Sequence, residues 1–400
     1  MDPARRPGPV LAVLAVLTAL APLSVDVYTP SLPRIGADLG GAPWVIQSSI
    51  TACLAGIGIG QLAFGPLSDR IGRRPVILVG VAGWTLASVA SAFVPSALAL
   101  VAIRGVAGLF GSAGIVAARS VVRDVSENRA VMGGRVAVLA TVSAGAPVVA
   151  PVLGAAVAAL WGWRADFLTL AGVGALVIVG VLVLVPETRT ADAVDGPRAV
   201  SSGSLVGAVR ESLRAAFRSR ELRGVAAMLA AQSFGFYAYV ATASYVVERE
   251  LGYGRDVFTL VFATNAAAMV GANLLFRRLA RRNHPGTLAG AGLVVSLLAG
   301  GALAAIAVSR GPDPLLWAAS ALFAAGVGLV LPGSHTWGQL TDAPSGSASA
   351  LTGSAQFLGG VLGSPVTGLL GATALSLGFV LVASSAVALG VHRRVRRASR

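Results

Sequence analysis

The chain has 400 residues, of which 55% are hydrophobic and only 12% charged. A soluble domain needs about a quarter of its residues charged to cover its surface, so the composition excludes a soluble enzyme or scaffold and points to a protein immersed in lipid. The net charge of +14 rests on 31 basic residues, all of them arginines, which punctuate apolar runs instead of forming one basic face; that spread excludes a nucleic-acid-binding surface.

Uncharged stretches of about 20 residues, the length that crosses the hydrocarbon of a bilayer, recur from end to end. The first, residues 9–31, opens on "MDPARRPGPVLAVLAVLTALAPLS". That stretch resembles a secretory signal, but it has no small-x-small cleavage site and continues through Asp26 and Tyr28, so it is expected to remain as a span. Further spans are predicted at 44–64, 75–94, 97–118, 134–159, 165–185, 224–247, 257–276, 286–308, 314–334, 346–370 and 372–391. The last two are separated only by the glycine-rich break in "GLLGATALSLG". Cys53, the single cysteine, lies inside the second span, which excludes a disulfide framework and a cysteine-based metal site.

Arginine counting sets the expected orientation. With both termini cytoplasmic, 25 arginines fall on inner segments and five (Arg34, Arg164, Arg249, Arg255, Arg310) on outer ones, with Arg104 left within a span. Residues 186–223 form the longest polar segment and divide six spans from six: "PETRTADAVDGPRAVSSGS" reads as a linker and "LVGAVRESLRAAFRSREL" as an amphipathic surface helix. The expected organisation is therefore a bundle at 1–185, a linker with surface helix at 186–223, and a second bundle with a basic tail at 224–400. Such paired six-helix bundles describe a transporter.

Charge at membrane depth is sparse, and intramembrane ionisable groups are functional candidates by default. Asp26 sits about five residues from the outer end of its span and Arg104 about seven, so both lie roughly 8 to 10 Å deep at 1.5 Å per residue. Tyr28, Trp44, Gln47, Tyr237, Tyr239 and Gln356 are the polar and aromatic candidates for contact with a substrate; each also suits packing or an interfacial belt. His335, near the inner end of span ten, reads as structural. In span five, Gly145, Pro147, Pro151 and Gly154 bend the helix and allow close approach, as a hinge or as crowded packing.

Between spans two and three stands "GPLSDRIGRRP", which resembles the signature hairpin of the major facilitator superfamily, G-x-L-[AS]-D-R-x-G-[RK]-[RK], matched at Gly65, Leu67, Ser68, Asp69, Arg70, Gly72, Arg73 and Arg74. Together with "SVDVYTPSLP", "RGVAGLFGSAGIVAARSVVRD", "APVVAPVLG", "WRADF" and "GSASALTGSAQF", the chain is similar to the bicyclomycin and chloramphenicol resistance branch of the drug:proton antiporters. Two departures stand out: Ala107 occupies the place of the branch's usual span-four glutamine, and Leu275 that of an aspartate in the second-half hairpin.

The resemblance implies an all-α integral membrane protein of twelve transmembrane helices in two pseudo-symmetric six-helix bundles, with spans one and four lining a cavity. It implies proton-coupled efflux of small amphiphilic drugs, with Asp26 as the proton-carrying group and Arg104 as its static partner or as a switch that releases it. Asp69 is expected to face the N-terminus of span eleven as a cytoplasmic gate, with one of Arg70, Arg73 and Arg74 pairing with Asp124 or Glu127. The expected partners are the bilayer, a small drug and protons, acting on a monomer in a bacterial inner membrane, with no cofactor beyond the proton gradient. A facilitator or exporter of an endogenous metabolite shares the fold and is the alternative. An enzyme is disfavoured by three scattered histidines and the lack of any H-x-x-x-H or acid cluster.

Overall fold

The computed structural model describes residues 7–41, 43–188 and 205–398. Every regular element among these residues is helical. Lipid offers no partner to a bare N–H or C=O, so an apolar chain must close its backbone bonds within each segment. In chain order the helices are α1 (Pro7–Asp26), a short α2 (Leu32–Leu39), α3 (Pro43–Ile71), α4 (Arg73–Ala92), α5 (Ala97–Asp124), α6 (Arg129–Trp161) and α7 (Arg164–Leu184). After them come α8 (Leu205–Arg218), α9 (Arg220–Ser244), α10 (Arg255–Leu279), α11 (Pro285–Ser309), α12 (Asp313–Gln339), α13 (Ser345–Leu369) and α14 (Ala374–Ala398). Twelve of the described helices have twenty residues or more and fall on the twelve expected spans; ten segments are both long and apolar enough to cross a bilayer.

The helices outrun the apolar runs that mark them. The stretch "GPLSDRIGRRP", expected as a hairpin, is mostly the last turns of α3, which passes through Pro66 and ends at Ile71. The turn itself is one residue, Gly72, at φ 104, a conformation open to glycine but strained for side chains. α5 likewise runs on to Asp124 and α12 to Gln339. The break in "GLLGATALSLG" falls between Leu369 and Ala374, where it was expected.

The described residues divide into two compact units. The first takes the chain up to Glu127, then Ala146–Ser219 and Asp342–Ser354; the second takes Asn128–Gly145, Arg220–Thr341 and the chain from Ala355 on. α6 and α13 therefore each contribute to both. The division within α6 follows Gly145, in the glycine and proline series of that helix. Of the expected linker, residues 189–204 lie outside the described residues; the surface helix is α8, which buries Ala216 and exposes Arg214 and Phe217.

In the first unit α3 and α5 cross with their backbones touching. A Cβ on Gly108 would strike the carbonyl of Cys53, and one on Gly56 the carbonyl of Gly105. Without a hydrophobic force between helices in lipid, such close approach supplies the dispersion that holds them. Trp84 of α4 is fully buried and donates from Nε1 to Ser24 Oγ at 2.6 Å, which ties α4 to α1. The second unit packs Leu303, Phe323, Val327 and Leu381 from α11, α12 and α14 into one core. His284 caps α11, its Nδ1 accepting from the Gly286 N–H at 3.0 Å. Burial, with Arg129 and Arg396 nearby, pushes the His284 pKa below the usual imidazole value, which keeps the accepting nitrogen bare.

Gly108→Val is expected to force α3 and α5 apart and to destabilise the first unit by about 1–3 kcal/mol or more, as overpacking does. Thermal unfolding of the purified protein in detergent, beside Gly301→Ala, where a Cβ meets nothing within 4 Å, measures the difference.

Candidate functional site

The first unit carries two polar sites, one at each end. At the end where α1 stops, at Asp26, the chain passes through Tyr28 and a tight turn at Thr29–Ser31 into α2. Pro30 has no N–H to donate to the Asp26 carbonyl in a continuing helix, which accounts for the stop. Asp26 is half-buried, and among the described residues no hydrogen bond or ion pair holds its carboxylate. Tyr28 is fully buried; its hydroxyl meets Ser49 Oγ at 3.0 Å and its ring centroid lies 5.1 Å from that of Phe167.

Arg104 stands seven residues into α5 and is fully buried. Its Nη2 donates to the Ser24 carbonyl and touches Cys53 Sγ at 3.5 Å. The guanidinium carbon lies 5.2 Å from the Tyr28 ring centroid and 5.6 Å from that of Phe167, within the range of a cation–π contact. Nε and Nη1 have no partner. The static Asp26–Arg104 pair considered from the sequence is therefore not formed in this conformation: the guanidinium is held by a carbonyl and two aromatic faces instead.

Sequence reasoning passed over the second carboxylate here. Asp166, in "WRADF", is fully buried; Oδ2 accepts from Ser31 Oγ at 2.6 Å and Oδ1 has no partner. The rest of that motif holds α2: Trp163 Nε1 donates to Asp38 Oδ2 at 2.7 Å, and Arg164 pairs with the same oxygen at 3.5 Å while stacking over Trp163.

At the opposite end Asp69 reaches the start of α13. Oδ1 accepts from the Gly346 N–H at 2.8 Å, and Oδ2 from the Ser347 N–H at 2.9 Å. These are two of the four amides a helix start leaves without an internal partner, and the helix dipole adds to the attraction. Arg73 fixes the carboxylate in place. Nη1 donates to Asp69 Oδ1 at 2.7 Å and to Ser68 Oγ at 2.8 Å, Nε to Asp124 Oδ2 at 3.0 Å, and Nη2 to Ser345 Oγ at 3.1 Å. Arg73 is thus the arginine that pairs with Asp124. Arg74 donates from Nη2 to the Leu182 carbonyl at 2.6 Å, and Arg70 is half-buried. Glu187, counted from sequence as linker, accepts the backbone N–H groups of Arg73 and Arg74 at 2.9 and 3.0 Å and fills the space beside Gly72. Gly65 packs against Gly346 and Ala350.

The remaining candidates are dispersed. Gln47 is exposed, and the side chains of Trp44 and Pro147 lie outside the described residues. In the hinge series Gly145 has open space around it, Pro151 is half-buried, and Gly154 packs on the Val27 carbonyl. In the second unit Tyr237 meets Phe236 edge to face and Phe357 at a tilt. Tyr239, only 4% exposed, accepts from Asn265 Nδ2 within the core, which commits its hydroxyl to packing in this conformation. Gln356 Oε1 meets His335 Nε2 at 2.8 Å.

The family model of the Major Facilitator Superfamily matches residues 14–364. The chain belongs to the major facilitator superfamily. It is similar to YdgK of Bacillus subtilis (strain 168), described as an uncharacterised MFS-type transporter, with 30% identity over 94% of this chain and 92% of that one. It is also similar to a bicyclomycin resistance protein homolog of Haemophilus influenzae, with 27% identity over 93% and 92% of the two chains. Among solved structures it resembles the proton:xylose symporter XylE, with a TM-score of 0.79 and 16% identity over 97% and 95% of the chains, a likeness of fold. Twelve long helices and this membership describe a multi-pass membrane transporter of the major facilitator fold.

In this major facilitator chain, Asp69→Asn replaces one charged acceptor by a neutral amide, and hydrogen bonds to a charged group are worth about 1.5–3 kcal/mol. With Cys53→Ala as background, a cysteine placed by Ser349→Cys, buried on α13, is expected to react with a maleimide roughly tenfold faster once Asp69→Asn is added. Equal labelling rates with and without Asp69→Asn disprove the clamp.

Proposed function

We propose that the chain exports small amphiphilic drugs of the phenicol or bicyclomycin type across a bacterial inner membrane in exchange for protons, by alternating access. In this reading it works as a monomer with both termini cytoplasmic, and the proton gradient is its energy source. The observation that carries the proposal is the outer site of the first unit, where Asp26 has no bonded partner while Arg104, fully buried on the neighbouring helix, keeps two donors unused.

A carboxylate whose proton affinity depends on whether an arginine is engaged is a coupling group. Here the arginine has two alternatives: the Ser24 carbonyl and aromatic faces that now hold it, or the acid one helix away. A shift of the guanidinium from one to the other changes how tightly Asp26 holds a proton, and a bound drug that competes for the same donors ties proton release to cargo. The inner clamp at Asp69 supports the same reading, because alternation needs a closure that holds and lets go. The similarity to a bicyclomycin resistance protein homolog supports drug as the cargo class.

An inward proton-motive force of about 150 mV supplies roughly 3.5 kcal/mol per proton, enough for a few-hundred-fold gradient of a neutral drug. In liposomes with an imposed pH gradient, Asp26→Asn is expected to keep drug binding and lose uphill export; uphill movement by this variant removes Asp26 as the coupling residue. Arg104→Lys keeps the charge but not the planar fork, so its export is expected to fall at least about tenfold, and lysine that transports as well as arginine reduces the role of Arg104 to its charge.

A further inference from the structure

The first ten residues of α13 lie on α3 along a seam of small side chains. Gly346 and Ala350 face Gly65, and Ser354 Oγ donates to the Gly58 carbonyl at 2.6 Å. Between these contacts a Cβ on Gly353 would strike Gln61 Oε1 and come within 2.9 Å of Arg119 Nη1. Gln61 is fully buried, and neither Nε2 nor Oε1 has a hydrogen-bond partner. One turn earlier on α13, Ser349 Oγ is also buried without a partner.

A buried amide with both ends unsatisfied loses its bonds to water and gains none. Leucine or methionine fills a similar volume on α3 without that cost. The amide is therefore matched to a state other than the closed seam, one in which the first half of α13 has lifted and Gln61, with the Arg119 guanidinium beside it, faces open space.

We infer that Gln61 is a hydrogen-bonding subsite for cargo, uncovered when the first half of α13 leaves α3, and that it takes neutral molecules bearing amide or hydroxyl groups. The side chain offers one donor group and one acceptor on a helix that otherwise presents Gly58 and Gly65 to the seam, and such cargo pairs with both. Arg119 adds a donor for an acceptor such as a carbonyl or nitro oxygen. A lipophilic cation without hydrogen-bonding groups gains nothing from the site. This inference rests on the drug-export reading.

The test uses the full chain in proteoliposomes under an imposed pH gradient, with chloramphenicol as the hydrogen-bonding probe and tetraphenylphosphonium as the probe without such groups. Gln61→Leu and Gln61→Met are compared with wild type, the two variants guarding against a packing fault in either, and folded material is confirmed by gel filtration. The expected result is a rise of about tenfold in KM for chloramphenicol with kcat unchanged in both variants, the mark of lost binding, while tetraphenylphosphonium transport stays within about twofold. A change in kcat without a change in KM means that Gln61 only destabilises the closed seam, and it overturns the subsite, as does an unchanged chloramphenicol KM. If wild type moves neither probe, the export reading fails and the subsite with it. If wild type moves chloramphenicol and the variants match it, the subsite alone falls.

Discussion

Lipid gives a polar group nothing to bond to, and the behaviour assigned to each polar side chain in this molecule follows from how completely the protein supplies that partner. Asp69 and Arg73 are supplied in full: the carboxylate receives two helix amides and a guanidinium, and the guanidinium spends its donors on two carboxylates and two hydroxyls. Arg104 is supplied in part, with a carbonyl, a thiol and two ring faces but two unused donors. Gln61 is not supplied at all. A fully bonded group resists change, whereas a partly bonded one has something to gain from moving. The ranking orders these groups by how much bonding each stands to lose or gain when its neighbours move.

Every basic residue of the chain is an arginine, so the choice of arginine is not special to the two polar sites, but both sites use its planar fork. The four partners of Arg73 lie in different directions around one guanidinium, and a lysine ammonium at that position has neither the spread nor the rigidity to meet them. At Arg104 the plane matters differently, since it lies near two aromatic rings and still presents an edge to the Ser24 carbonyl. A delocalised and weakly hydrated cation tolerates that dry setting better than a compact ammonium.

Much of this was legible in the sequence because hydropathy and membrane insertion share one cause. The twelve spans appear as apolar runs since nothing else crosses lipid, and Asp26, Arg104 and Asp69 stand out as charges against a background that avoids charge. The sequence reading failed where the background was ordinary. Glu187 sits in a polar tail where acids are common, so its grip on the Arg73 and Arg74 amides had no signal. Gln61 carries no charge, and its lack of partners is a property of packing alone. From the sequence Tyr239 is open to packing or to ligand contact, and only the structure shows the amide of Asn265 beside its hydroxyl. The charged stretch reads as a hairpin because apolarity ends at its start, yet α3 runs on through Pro66 and leaves the turn to Gly72.

The two units also satisfy the starts of their shared helices differently. In the second unit α6 begins beneath its own cap, with Asn128 Oδ1 accepting the Val131 N–H at 3.0 Å. In the first unit the start of α13 is held by Asp69, a residue nearly three hundred positions away in the chain. A cap within the same helix travels with it, whereas a cap borrowed from another helix is lost when the two part. The amides of Gly346 and Ser347 are therefore satisfied only while α13 lies on α3. That makes the borrowed cap a conditional stabiliser of the α13 start, whereas the start of α6 keeps its own cap wherever the helix lies.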